Sequence, residues 1–128
     1  MAVKKITFDK TGGAVKVDIQ YNGLVAASYT YTLWEANSNV VVDQKPGNNQ
    51  NTQDDNYTLP DPALSNIGRM IDIHSTIQGL YNQENEGAYT VIITVTQDGK
   101  ELDKEVQPAP PKVIGNRIVV HQYFAIMQ

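Results

Sequence analysis

Apolar and polar residues alternate along most of this chain with a period of two. In segment 14–21, Val15, Val17, Ile19 and Tyr21 fall on one side, and Lys16, Asp18 and Gln20 on the other. Segment 88–97 repeats the pattern, with Tyr89, Val91, Ile93 and Val95 set against Thr90, Thr94 and Thr96. In 69–78, Ile71, Ile73 and Ile77 share a side. Successive side chains of a strand point to opposite faces, so each segment reads as a half-buried strand. Asp98-Gly99 separates 88–97 from 100–106. That dipeptide favours positive φ at both turn positions, which predicts a β-hairpin. Asn22-Gly23 carries the same signal and predicts a second hairpin, from 14–21 into a third strand over 24–36.

The remaining segments complete an all-β pattern. Residues 3–8 and 40–43 read as short strands. Segment 44–58 is polar and reads as a loop, long enough for loops of its kind to be functional or mobile. Asp61-Pro62 followed by Gly68 predicts a short helical turn near 62–67, with Asp61 as cap and Gly68 just past the end. The prolines of 108–111 mark an edge or a crossing between sheets. Segment 117–127 is the final strand, with Ile118, Val120, Phe124 and Ile126 as its apolar face. A strand this apolar belongs inside a sheet; left exposed, it invites edge-to-edge association. The fold expected is a single antiparallel β-sandwich domain over 1–128, of about eight or nine strands, immunoglobulin-like or jelly-roll-like. A closed barrel is the alternative.

The run Asn85-Glu-Gly87-Ala-Tyr89-Thr-Val91 resembles the start of strand F in immunoglobulin-like domains. The resemblance implies that Tyr89 closes a corner between strands. It also implies that Val91 and Ile19 stand where the family has its two cysteines, and that Trp34 is the core tryptophan. The long strand after Pro111 departs from a minimal domain of that family.

Composition narrows the function classes. The chain has 128 residues and a net charge of −4, with no cluster of Lys or Arg. Phosphate contacts need such a cluster, so nucleic acid and anionic membrane surfaces are disfavoured as partners. There is no Cys, which removes thiol catalysis and zinc–thiolate sites. No apolar run has the length of a signal peptide or a membrane-crossing helix, so membrane insertion is not expected. The cytoplasm is favoured, unless an export signal has been removed. Nothing in the sequence calls for a cofactor.

Candidate chemistry is sparse. Asp72 and His74 share a strand face about 7 Å apart. With His121 they form the weak candidate set for a small metal-dependent enzyme; a solvated polar row is the stronger reading. The oxygen-rich residues Asp43, Asn48, Asn49, Asn51, Asp54, Asp55 and Asn56 suit calcium by type but lack the EF-hand spacing. No nucleophile elbow or phosphate loop appears. The aromatic residues carry more weight, with seven Tyr and one Trp. On the third strand, either Tyr29, Tyr31 and Leu33 face outward and Trp34 is core, or the reverse holds. The leading function is a non-catalytic binding module for a protein surface or another copy of the chain. Its candidate sites are Tyr29, Tyr31, Leu33 and Trp34, with Asn48, Asn51, Asp54 and Asp55 of the polar loop. The alternative is a carbohydrate-binding domain that stacks a sugar on the aromatic residues.

Overall fold

The computed structural model describes residues 3–23, 25–48, 55–79, 87–106, 112–113 and 118–128. Their strands are β1 (Lys4–Ile6), β2 (Val15–Gly23), β3 (Val25–Trp34), β4 (Val41–Asn48) and β5 (Asp55–Thr58), then β6 (Met70–Gly79), β7 (Gly87–Gln97), β8 (Lys100–Val106), β9 (Lys112–Val113) and β10 (Ile118–Met127). They make an all-β sandwich. Sheet A has the order β1-β10-β6-β3-β4, and sheet B the order β5-β2-β7-β8, with β9 beside the start of β7. Neighbours are antiparallel except β1 and β10, which run parallel. One apolar core fills the space between the sheets. Val15, Val17, Ile19, Val91, Ile93 and Val95 line it from sheet B, and Ile71, Ile73 and Ile77 from sheet A. No helix among the described residues is long and apolar enough to cross a membrane.

The Asp98-Gly99 hairpin forms as the sequence predicts, with φ of 51° at Asp98 and 76° at Gly99. Behind it, Gln97 is buried and serves the loop before β2. Its amide accepts from the Asp9 N–H at 2.8 Å and donates to the carbonyls of Asp9 and Gly13 at 2.7 and 2.9 Å. These bonds satisfy backbone groups of a loop packed at the end of the sandwich.

Four expectations are corrected. Asn22-Gly23 makes no hairpin. Both residues continue β2 and pair with Thr90 and Tyr89 of β7, while β3 joins the other sheet. The chain therefore crosses the sandwich at this point. Segment 44–58 is not one loop, because β4 runs to Asn48 and β5 begins at Asp55. Both are edge strands, and an edge with one neighbour tolerates polar residues and a proline such as Pro46. The helical turn is a 3-10 turn at Ala63–Asn66, and its N-cap is Pro62 with no side-chain cap from Asp61. Gly68 does take a positive φ, of 81°.

The fourth correction concerns β10. Tyr123, Ala125 and Met127 face the core, while Ile118 and Val120 are each 59% exposed. Both faces of this strand are rich in apolar groups. Tyr123 goes inward because its hydroxyl reaches a carboxylate across the sandwich, donating to Asp103 Oδ2 at 2.7 Å. A β-bulge arranges that meeting. The register shifts between Val95 and Thr96, so Asp103 and Glu105 of β8 lie opposite the core residues Val95 and Ile93. A second shift, between Leu33 and Trp34, does the same for Asp43 and Lys45 on β4. Inward-aimed charges on edge strands guard sheets against unwanted pairing.

Candidate functional site

The outer face of sheet A differs from every other surface of the molecule described. From β3 it takes Ala26, Ser28, Thr30, Thr32 and Trp34, and from β6 Met70, Asp72, His74, Thr76 and Gln78. From β10 it takes Ile118, Val120, Gln122, Phe124 and Ile126. Asp72 is the one formal charge these three strands place there, and the edge strand β1 adds Lys5 beside Ile126. By contrast, the outer face of sheet B carries Lys16 and Asp18 on β2, and Glu101 and Lys104 on β8.

Register orders the apolar groups. Val41, Trp34, Met70 and Ile126 form a row across four strands. The outward side chains of β10 form a column at right angles to it. Inside this corner sit Thr32, Asp72, Thr30 and His74. Asp72 accepts from Trp34 Nε1 at 3.1 Å and from Gln122 Nε2 at 3.4 Å. These bonds hold the indole against the sheet. Two shallow depressions, of about 320 and 300 Å³, adjoin along Ser28 and Thr76. They indent the polar quarter without making a deep cleft.

The third strand takes the second of its two arrangements. Tyr29, Tyr31 and Leu33 are buried, and Trp34 is half-buried on the outer face. The three therefore form no surface stripe. Tyr29 and Tyr31 join Tyr21 and Tyr57 between the sheets instead. Tyr31 stacks on Tyr57 with ring centroids 4.7 Å apart, and Tyr21 on Tyr29 at 5.9 Å. Tyr29 and Tyr57 share a hydrogen bond, as do Tyr21 and Ser75. Burial pushes the Tyr21 hydroxyl up to about 12 and raises those of Tyr29 and Tyr31 further. Gly47 lies against this cluster. A Cβ there would stand 2.2 Å from the Tyr29 ring.

The other sequence candidates are dispersed. Asn48 lies opposite Ser28, about 20 Å along β3 from Trp34. Asp55 is on β5, in the other sheet. Asn49, Asn51 and Asp54 lie outside the described residues, as do the prolines of 108–111 and the side chain of Tyr89. Trp34 and the oxygen-rich segment are thus not brought together among the described residues. His74 and His121 also part. Gln122 lies opposite His74, so the neighbouring His121 points to the opposite face of sheet A. Asp72, His74 and His121 do not converge, and no metal-holding group of His, Asp and Glu occurs among the described residues.

His121 belongs to a second polar cluster that sequence reasoning missed. Its Nε2 lies 3.1 Å from Glu105 Oε2, and its side chain is only 10% exposed. Lys4 Nζ lies 3.3 Å from Asp103 and 3.9 Å from Glu105. Burial lowers the His121 pKa, and the Glu105 charge opposes that shift without cancelling it. This cluster ties β8 of one sheet to β1 and β10 of the other. The signal for it was the acidic spacing of Asp103 and Glu105, but only the bulge aims them inward. No family model, curated protein or solved structure matches the chain.

Proposed function

We propose that the protein is a non-catalytic interaction module, and that the outer face of sheet A docks against an apolar, uncharged surface of a protein. The observation that carries this reading is the asymmetry between the two outer faces. Interface cores are depleted in charge and enriched in aromatic residues and Met. Sheet A presents Trp34, Met70, Phe124 and Ile126 with a single carboxylate, which already accepts two hydrogen bonds, and with Lys5 at its β1 margin. From β10 to β3 the face measures roughly 27 by 15 Å, or about 400 Å². The apolar row and column cover about half of it, and a contiguous apolar strip edged by polar groups on a soluble protein marks an interaction site. The shallow depressions suit a broad partner better than an enclosed small molecule, which is ordinarily held in a deeper cleft.

The test is site-specific photo-cross-linking in the source cell. A photoreactive phenylalanine analogue replaces Phe124 on sheet A or Thr94 on the outer face of sheet B. Adducts are expected at position 124 and not at 94, and a Met70→Glu background should suppress them. Equal labelling at the two positions would overturn the assignment of the face.

A further inference from the structure

The outward side chains of β3 shrink from its end toward its start. Trp34 is followed backwards by Thr32, Thr30, Ser28 and Ala26. The flanking strands keep larger groups at the same levels. Pro46 and Asn48 stand beside Thr30 and Ser28 on β4, and His74 and Gln78 beside Thr30 and Ala26 on β6. Small side chains between larger ones leave a trough. The two depressions that adjoin at Ser28 are its two halves, of about 320 and 300 Å³. They lie in line because one strand floors both.

The indole of Trp34 closes the head of this trough. Its Nε1 donates to Asp72 Oδ2 at 3.1 Å, and Asp72 lies opposite Thr32, one outward position back from Trp34. The ring therefore leans back along β3. Thr32 confirms the lean: it points outward, yet it is only 4% exposed. The indole covers it together with the Gln44 amide, which donates to Thr32 Oγ1 at 3.1 Å. Trp34 itself is half-buried, so one side of its ring is against the sheet and the other is toward solvent. From Ala26 to Thr32 the trough and this platform make a straight run of about 20 Å.

We infer that this run binds an uncharged, β-linked polysaccharide chain, with one pyranose ring stacked on Trp34 and the next rings lying along β3. The site lies beside the apolar column of β10 and does not depend on what docks there. Three features select the ligand. No Lys, Arg, Asp or Glu lines either depression, so nothing rewards a phosphate, a uronate or a charged peptide. The lining groups are hydroxyls, amides and an imidazole, with Ser28 and His74 exposed. Such groups both donate and accept, as sugar hydroxyls do. The negative face of an indole attracts the weakly positive C–H groups that line one face of a pyranose with equatorial hydroxyls. A straight trough fits the extended ribbon of a β-1,4 chain and not the coil of an α-1,4 chain. An added peptide strand gains affinity from main-chain bonds at a sheet edge. β3 offers none, because β4 and β6 pair with it on both sides.

Trp34 is the only tryptophan of the chain, so its fluorescence reports the site directly. Cellohexaose or chitohexaose is expected to give a saturable blue shift with Kd below about 1 mM. The bound sugar should also shield the indole from quenching by acrylamide. Maltohexaose, hexagalacturonic acid and an uncharged Ser/Thr decapeptide are expected to bind at least tenfold more weakly. Ser28→Leu fills the trough and should weaken binding at least tenfold, whereas Thr94→Leu, on the outer face of sheet B, should leave it unchanged. No saturable change with either β-linked hexasaccharide overturns the inference. So does equal binding of maltohexaose, of the uronate or of the peptide, and so does an S28L protein that binds as the wild type does. Should S28L lose its fold, calorimetry with Trp34→Ala decides, and undiminished binding by W34A overturns the inference. Saccharide binding with equal labelling at 124 and 94 would defeat the docking face and leave the trough in place. Adducts at 124 alone, without saccharide binding, would do the reverse.

Discussion

Removing the hydroxyl of Tyr31 should stabilise the protein. Tyr31 is fully buried, and its hydroxyl has no hydrogen-bond partner among the described residues. The ring stacks on Tyr57 at an interplanar angle of 4°, and Phe retains that contact. A buried polar group without a partner costs about 1–3 kcal/mol. Tyr31→Phe is therefore expected to gain about 1 kcal/mol, or about 3–5 °C in Tm for a domain of this length. Tyr123→Phe is the control. That hydroxyl donates to Asp103 at 2.7 Å, and a bond to a charged acceptor contributes about 1.5–3 kcal/mol. The two tyrosines lie on adjoining parts of the same core, and each substitution removes one oxygen. Urea denaturation should move the midpoints in opposite directions with unchanged slopes, so that each shift reports stability alone. If Y31F is destabilised by 1 kcal/mol or more, the hydroxyl has a partner, and the space between β4 and β5 is wetter than the packing shows.

Other outcomes follow from the same structure. Gln97→Ala leaves backbone groups of Asp9 and Gly13 without their buried partner and should cost about 2–3 kcal/mol by denaturation. Gly47→Ala drives a methyl group into the Tyr29 ring and should cost about 1–3 kcal/mol, whereas Tyr29→Phe should not relieve it, because the ring itself is struck. His121 has a lowered pKa in the fold, so the unfolded chain binds its proton first as pH falls. Its contribution is complete above the ordinary histidine value of 6.5 and is lost as pH drops from there through the folded value. His121→Gln should flatten that part of the profile of Tm against pH, and a profile unchanged by the substitution would contradict the burial of the imidazole.

The strands whose two faces contrast were legible from their residues. β2, β6 and β7 set Val and Ile against Lys, Asp, Gln and Thr, and their inner faces are those the alternation implies. The turn at Asp98-Gly99 was legible because its chemistry is local: two residues that accept positive φ. Asn22-Gly23 has the same local chemistry, yet it continues a strand, because β7 offered pairing partners for both residues.

The candidate surface was less legible, for a related reason. β3 and β10 carry large apolar groups on both sides, so periodicity located the strands without choosing their faces. Tyr29 and Tyr31 turn inward because the other sheet supplies Tyr57 to stack on and to bond. Tyr123 and His121 turn inward because a bulge in β8 aims Asp103 and Glu105 at them. The outward apolar column of β10 is what remains. A period of two is a property of one strand and is written in its own residues. The choice between two nearly equal faces depends on groups of other strands, some twenty to thirty residues away in the chain and a few ångströms away in space, so only the assembled sandwich makes it.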